Sequence, residues 1–252
     1  MRRPLALLLI LALVLAAGCS GGDGDDDAAT TATGSGGTGT SDGPSPQVYG
    51  QDDPQFGQLL LRFTRAAADG DARTMWNMLT SATQASIGPS LTEFRNQSAL
   101  EFQEGLGTIA PTAEVTLSRR LSDFGVGAIA GDREVEGNRE FFAYAVAFMQ
   151  EEGAWRIELG GVIVTGLKPE PLSTVGPRPQ VAADVGAGGE LNNVLMWLDG
   201  EPLAAAESDE TPFAAQLRGT PDGPLEAGRH VIVVFADAGL TASALSWTFE
   251  SE

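Results

Sequence analysis

From Asp53 to Leu106 the apolar residues recur at helical spacing. Phe56, Leu59, Leu60, Phe63, Ala66 and Ala67 follow an i, i+3, i+4, i+7 rhythm behind Asp53-Pro54, a capping residue and a proline at the first helical position. Gly70 stops that helix, and Asp71 caps a second one that carries Met75, Trp76 and Leu79. Ser90 to Glu93, "SLTE", has capping-box spacing and predicts a third helix bearing Leu91, Phe94, Ala99, Phe102 and Leu106. Beyond Pro111 the period drops to two. Val115, Leu117 and Leu121 alternate with Glu114, Thr116, Ser118 and Arg120, and "VGAIAG" predicts a short second strand. "EFFAYAVAFMQEEGAWRIEL" predicts a long hairpin turning at Gln150 to Gly153. One arm has Phe142, Tyr144, Val146 and Phe148 on one face, and the other has Trp155, Ile157 and Leu159.

Pro169, Pro171, Pro177 and Pro179 then mark a stiff hinge, and no helical pattern follows it. "NVLMWLDGEPLA" predicts a hairpin turning at Asp199-Gly200, "TPFAAQLRG" a strand, Val231 to Phe235 a buried strand, and "SALSWTFES" an alternating one. Short strands separated by turn signals point to a small β-sandwich. Few core contacts are expected to cross residues 164–179.

The pattern at the other end is of a different kind. Leu5 to Ala17 is an unbroken apolar run of thirteen residues behind Arg2-Arg3. A bilayer-spanning helix needs about 20, so the run suits an export signal. Ala16-Ala17-Gly18 lead into Cys19, the single cysteine of the 252 residues. One cysteine forms no internal disulfide. Ser20 to Pro46 contains no Val, Ile, Leu, Met, Phe, Trp or Tyr. It therefore lacks the apolar surface that offsets the entropy of ordering, and reads as a tether with an r.m.s. span of about 30 Å up to Gly50. Asp23 and Asp25 to Asp27 lack the glutamate and spacing of a calcium loop.

The residues around Cys19 resemble the bacterial lipoprotein signal, with Ala16 where that family prefers leucine. The resemblance implies cleavage before Cys19, acylation there by diacylglyceryl and palmitate chains, and residence on the extracytoplasmic face of the cell membrane. Charge agrees with anchoring by lipid alone. The chain has 15 basic and 34 acidic residues, a net charge of −19. That balance excludes the basic footprint of a nucleic-acid binder and disfavours adhesion to anionic lipid.

Helices followed by antiparallel strands, with "AADGDARTMWNMLT" early and "GAWRIEL" late, resemble the nuclear transport factor two-like fold, an α+β cone in which three helices lie on a curved antiparallel sheet around a pocket. That family includes ketosteroid isomerase as well as binding modules. The resemblance implies Trp76, Phe142, Tyr144 and Trp155 as pocket lining. An isomerase or dehydratase would need Tyr144 as donor beside Asp123 or Glu114 as base; the alternative places Tyr144 in the core and both acids in water. The second half, through "AGRHVIVVFADAG", resembles bacterial immunoglobulin-like domains. The expected organisation is a signal peptide at 1–18, a lipidated tether at 19–50, the cone at 53–164, a hinge at 165–178 and an all-β immunoglobulin-like sandwich at 179–252.

His230 is the chain's single histidine. Metal binding would need further His or Cys ligands, and a triad would need Ser243 or Ser246 with Asp237; its place after a turn glycine suits a structural role. No nucleotide, zinc or nucleophile motif occurs, so no metal, cofactor or catalytic residue is expected. The reading is a lipid-anchored, non-enzymatic envelope module that binds an envelope protein, a wall component or an apolar small molecule. An isomerase or dehydratase in the cone, or an accessory subunit of a transport or wall-synthesis complex, is the alternative.

Overall fold

Asp53 opens the helical layer as the sequence leads one to expect. A computed structural model describes residues 49–252; Cys19 and the tether before Tyr49 lie outside the described residues. The Asp53 carboxylate accepts from the Gln55 amide at 3.1 Å, and Pro54 opens helix α1, Pro54–Ala68. Phe56, Leu60, Phe63 and Ala67 form its buried stripe. Asp71 caps α2, Ala72–Asn77, and Thr80 caps α3, Ser81–Ile87, a helix that the apolar spacing does not signal. The expected third helix is two helices, α4 at Leu91–Asn96 and α5 at Ser98–Glu104, because Gln97 leaves helical dihedrals at φ −131° and ψ −82°.

Five strands follow the order β1-β2-β3-β4-β5 in one antiparallel sheet: β1 Gln51–Asp52, β2 Glu114–Leu121, β3 Phe124–Val135, β4 Asn138–Glu151 and β5 Ala154–Glu158. The helices cover one face, where Ile129, Val146, Phe148 and Ile157 pack with Phe56, Leu60, Phe63, Met75 and Phe94. Gly125 on β3 makes room for α1, since a Cβ there would stand 2.1 Å from the Phe56 ring.

The remaining strands build two further sheets. They are β6 Val162–Lys168, β7 Thr174–Val175, β8 Val181–Ala187, β9 Asn193–Leu198, β10 Glu201–Pro202, β11 Ala205–Thr211, β12 Ala214–Gly219, β13 Gly228–Asp237 and β14 Ala242–Ser251. One sheet runs β10-β9-β13-β14-β7 and the other β11-β12-β8-β6. Alternation along β13 explains the stacking. Ile232, Val234 and Ala236 point into the sandwich core, while Val231, Val233 and Phe235 point the other way. Those three, with Leu195 and Trp197, meet Leu117, Leu121, Val126 and the alanines 128, 130, 143, 145 and 147 on the outer face of the first sheet.

The described residues therefore form four layers, one of helices and three of sheet, in one compact unit. This corrects the expected fold class. The described residues carry fourteen strands against five short α-helices, in three sheets rather than one curved sheet and a detached sandwich. The first sheet does not close into a cone: side chains fill its helical side and the sandwich covers its outer side. The few crossing contacts expected at 164–179 are likewise replaced by a shared core. Strand β6 begins at Val162, before the expected hinge, and pairs with β8 inside the sandwich. Polar ties border this core. Tyr49 Oη donates to the Leu203 carbonyl at 3.1 Å, Arg119 Nη2 to the Gly200 carbonyl at 3.1 Å, and Thr248 Oγ1 to the Phe141 carbonyl at 2.9 Å.

Candidate functional site

The four aromatic residues expected to line a pocket pack against the helical core instead. Trp76 tilts onto Phe94 at 5.2 Å between ring centroids, and Trp155 stands edge-on to Phe56 at 4.9 Å. Phe142 is covered by the Arg133 guanidinium, 4.2 Å from its centroid. Tyr144 is half-buried against the same core, and loss of water around its phenol pushes the pKa up. The acids considered beside it are elsewhere. Asp123 is exposed in the β2–β3 turn. Glu114 pairs with Ala130, whose side chain faces the sandwich, whereas Tyr144 pairs with Ile129, which faces the helices. Neither Asp123 nor Glu114 is therefore placed beside Tyr144.

His230 begins the buried length of β13 beside the β9–β10 turn. Asp199 and Gly200 both have positive φ, 52° and 82°, the conformation that a tight two-residue hairpin requires. The Asp199 carboxylate then meets β13: His230 Nδ1 lies 2.7 Å from Oδ2, and the Val231 amide donates to Oδ1 at 2.8 Å. His230 Nε2 faces the Glu226 carbonyl at 2.9 Å, and the ring stacks on Phe249 at 5.2 Å. Asp237 lies at the other end of β13, about 23 Å away at the rise of an extended strand. It binds Asn192 at 3.1 Å and Asn193 at 2.6 Å, so the Ser-His-Asp arrangement does not exist.

Two clefts flank the bulge in β2 where Thr116 is passed over in the pairing with β3. One, of about 230 Å³, is lined by Asp52, Asp53, Thr116, Arg119 and Gly200 among others; the second, of about 380 Å³, by Thr112, Glu114, Thr116, Asp132 and Phe141. Asp132 is held by Arg139 at 2.6 Å and by Arg229 of β13 at 2.7 Å. The hydrogen bond from Arg139 is the largest influence and lowers its pKa; desolvation opposes it, and the hydrogen bond from Arg229 adds to the lowering, so the net shift is downward. Among the described residues, no group of three or more His, Cys, Asp or Glu is placed to hold a metal.

Sequence reasoning missed two features. One is Glu158, which is 5% exposed yet pairs with no cation among the described residues. Its Oε2 accepts from the hydroxyls of Thr80 and, at 3.2 Å, Thr83; its Oε1 accepts from Thr241 at 3.2 Å. Strand alternation opposite Trp155 and Ile157 suggests a solvated residue, and nothing local marks the three threonines as its partners. The other is a gathering of exposed apolar residues at one end of the sandwich. Ile163, 54% exposed, pairs with Gly186, which also pairs with Ala214 beside the 51% exposed Phe213. Leu240, 94% exposed, tips the β13–β14 turn at the same end, next to Thr241, whose single hydroxyl proton is shared between Glu158 Oε1 at 3.2 Å and the Gly160 carbonyl at 3.1 Å.

No family model matches the chain, and no curated protein matches it significantly. Among solved structures it is similar to dimeric latent PorU from Porphyromonas gingivalis, at 12% identity and a TM-score of 0.29 over 50% of this chain and 16% of that one. It is also similar to the titin Ig tandem domains A164-A165, at 8% identity and a TM-score of 0.27, over 55% and 90% of the two chains. Likenesses this slight establish neither a shared fold nor a shared activity.

Proposed function

We propose that this protein is a lipid-anchored module of the cell envelope that acts by surface contact with an envelope protein or wall component. The observation that carries this reading is the apolar end of the sandwich. Large exposed apolar side chains lose water only when something covers them. Ile163, Phe213 and Leu240 share one end, whereas the aromatic residues inside the helical layer are engaged in packing. An interior already filled by side chains gives no support to an apolar small-molecule guest. An immunoglobulin-like role for the sandwich, as a docking module on a tether, fits the same reading. So do the leader, the small residues before Cys19 and the apolar-free stretch from Ser20 to Pro46. Two acyl chains hold a protein at a membrane where one does not, at about 0.8 kcal/mol per buried methylene.

Two experiments test the two parts. Cys19→Ser is expected to leave unprocessed or soluble protein; membrane fractionation of that variant with unaltered mass would refute the anchor. A photo-crosslinking residue at position 240 or 213 in living cells is expected to give adducts of discrete mass that are absent when the probe sits at exposed Gly153. Equal labelling from all three positions, or none from 240 and 213, would refute contact through this end.

A further inference from the structure

We propose that Glu158 couples helix α3 to the β13–β14 turn, so that a load on the turn's exposed tip is felt in the helical layer. The carboxylate sits at the end of edge strand β5, and three hydroxyls from two distant parts of the chain converge on it. Thr80 and Thr83 belong to α3 and its cap, and Thr241, which shares its hydroxyl proton between Glu158 and the Gly160 carbonyl, belongs to the turn that carries Leu240. Thr83 is itself tied twice more: its Oγ1 accepts from the Leu159 amide at 2.9 Å, and its amide donates to Thr80 Oγ1 at 3.1 Å. A buried carboxylate without a cation depends on such donors, because losing one leaves charge facing an apolar interior. The nearby charged groups are engaged elsewhere. Glu151 accepts from the Ser81 amide at 3.2 Å, Arg156 donates to the Asn77 carbonyl, and Asp237 binds Asn192 and Asn193. Glu158 therefore has the threonines as its polar partners, and movement of either segment changes the carboxylate's hold on the other.

Two segments sharing one acceptor are energetically coupled, and the coupling is reciprocal. The contact reading of Leu240 supplies the load, but the coupling itself is tested without a partner. Hydrogen exchange on the intact folded chain measures it. Thr241→Val is expected to speed exchange of α3 amides roughly three- to tenfold, the effect of losing one net hydrogen bond. Thr83→Val is expected to do the same to amides at 239–242. The doubly substituted chain should show less than the product of the two effects, while amides of β12 stay unchanged. Effects confined to each variant's own segment, or a strictly multiplicative double variant, would overturn the proposal. Should Thr83→Val fail to fold, Glu158→Gln serves in its place: both segments must loosen together, and loosening of one alone refutes the coupling.

Discussion

Replacing Trp197 with alanine measures how firmly the two halves are joined. The indole is fully buried on the face of β9 that meets the first sheet, in a cluster with Leu117, Leu121 and Val126 of one half and Val233 and Phe235 of the other. Tyr49 stands edge-on to it at 6.0 Å. Truncating a buried tryptophan costs about 3–5 kcal/mol. Among the described residues, Nε1 has no hydrogen-bond partner, so the substitution also removes an unsatisfied donor. That places the net loss near the lower end, about 3 kcal/mol. With roughly 200 ordered residues, the melting temperature should fall by about 6–12 °C. The informative probe is far-ultraviolet circular dichroism at 222 nm, because the α-helices among the described residues all lie between Pro54 and Glu104. If the halves share one core, the helical signal melts earlier by that amount although the substitution lies in the sandwich. A helical transition that stays in place while sandwich fluorescence shifts would refute the shared core.

Gly125→Ala should destabilise by about 1–3 kcal/mol in urea, since the new Cβ meets a Phe56 ring that Phe148 and Trp155 hold at 5.2 and 4.9 Å; unchanged stability would mean that α1 is not packed there. Asp132 has its pKa lowered first by Arg139 and then by Arg229, so its contribution is present above the ordinary aspartate value of about 3.9 and fades as pH falls below it. Asp132→Asn should therefore narrow the stability gap to wild type progressively on acidification, and a gap independent of pH would contradict the pairing. Burial raises both tyrosines, Tyr49 and Tyr144. At pH 10, where an ordinary tyrosine is half ionised, absorbance at 295 nm should show well under half of the phenolate signal in the folded chain, with stability falling as pH climbs past that value; half or more of the signal at pH 10 before unfolding would contradict their burial.

Much of the local structure is written in local chemistry. Asp53-Pro54, Asp71 and Ser90 start helices because their side chains accept orphan amides, and Asp199-Gly200 turns because both residues take positive φ. What stays hidden is what covers each element. Ala143, Ala145 and Ala147 alternate with Tyr144, Val146 and Phe148, so the large residues declare one buried face while the alanines declare nothing. Alanine fits a solvent face and a close sheet-to-sheet contact equally well, and the choice depends on Val231, Val233 and Phe235 some ninety residues later. The run from Val231 to Phe235 signals a strand buried on both faces, but not which sheet the second face meets. The same distance hides Glu158, whose partners come from residues 80, 83 and 241. His230 follows the Gly228 turn, and the sequence does not signal that Asp199 stands beside it.

Coincidence of two unfolding signals tests most directly whether residues 49–252 form one cooperative unit. In a Trp76→Phe, Trp155→Phe variant the remaining tryptophans, Trp197 and Trp247, report on the sandwich and its junction, while ellipticity at 222 nm reports on the helices. A single shared core predicts urea midpoints for the two signals that agree within error. Two separated midpoints, one for each signal, would show that the halves fold independently and would contradict the account.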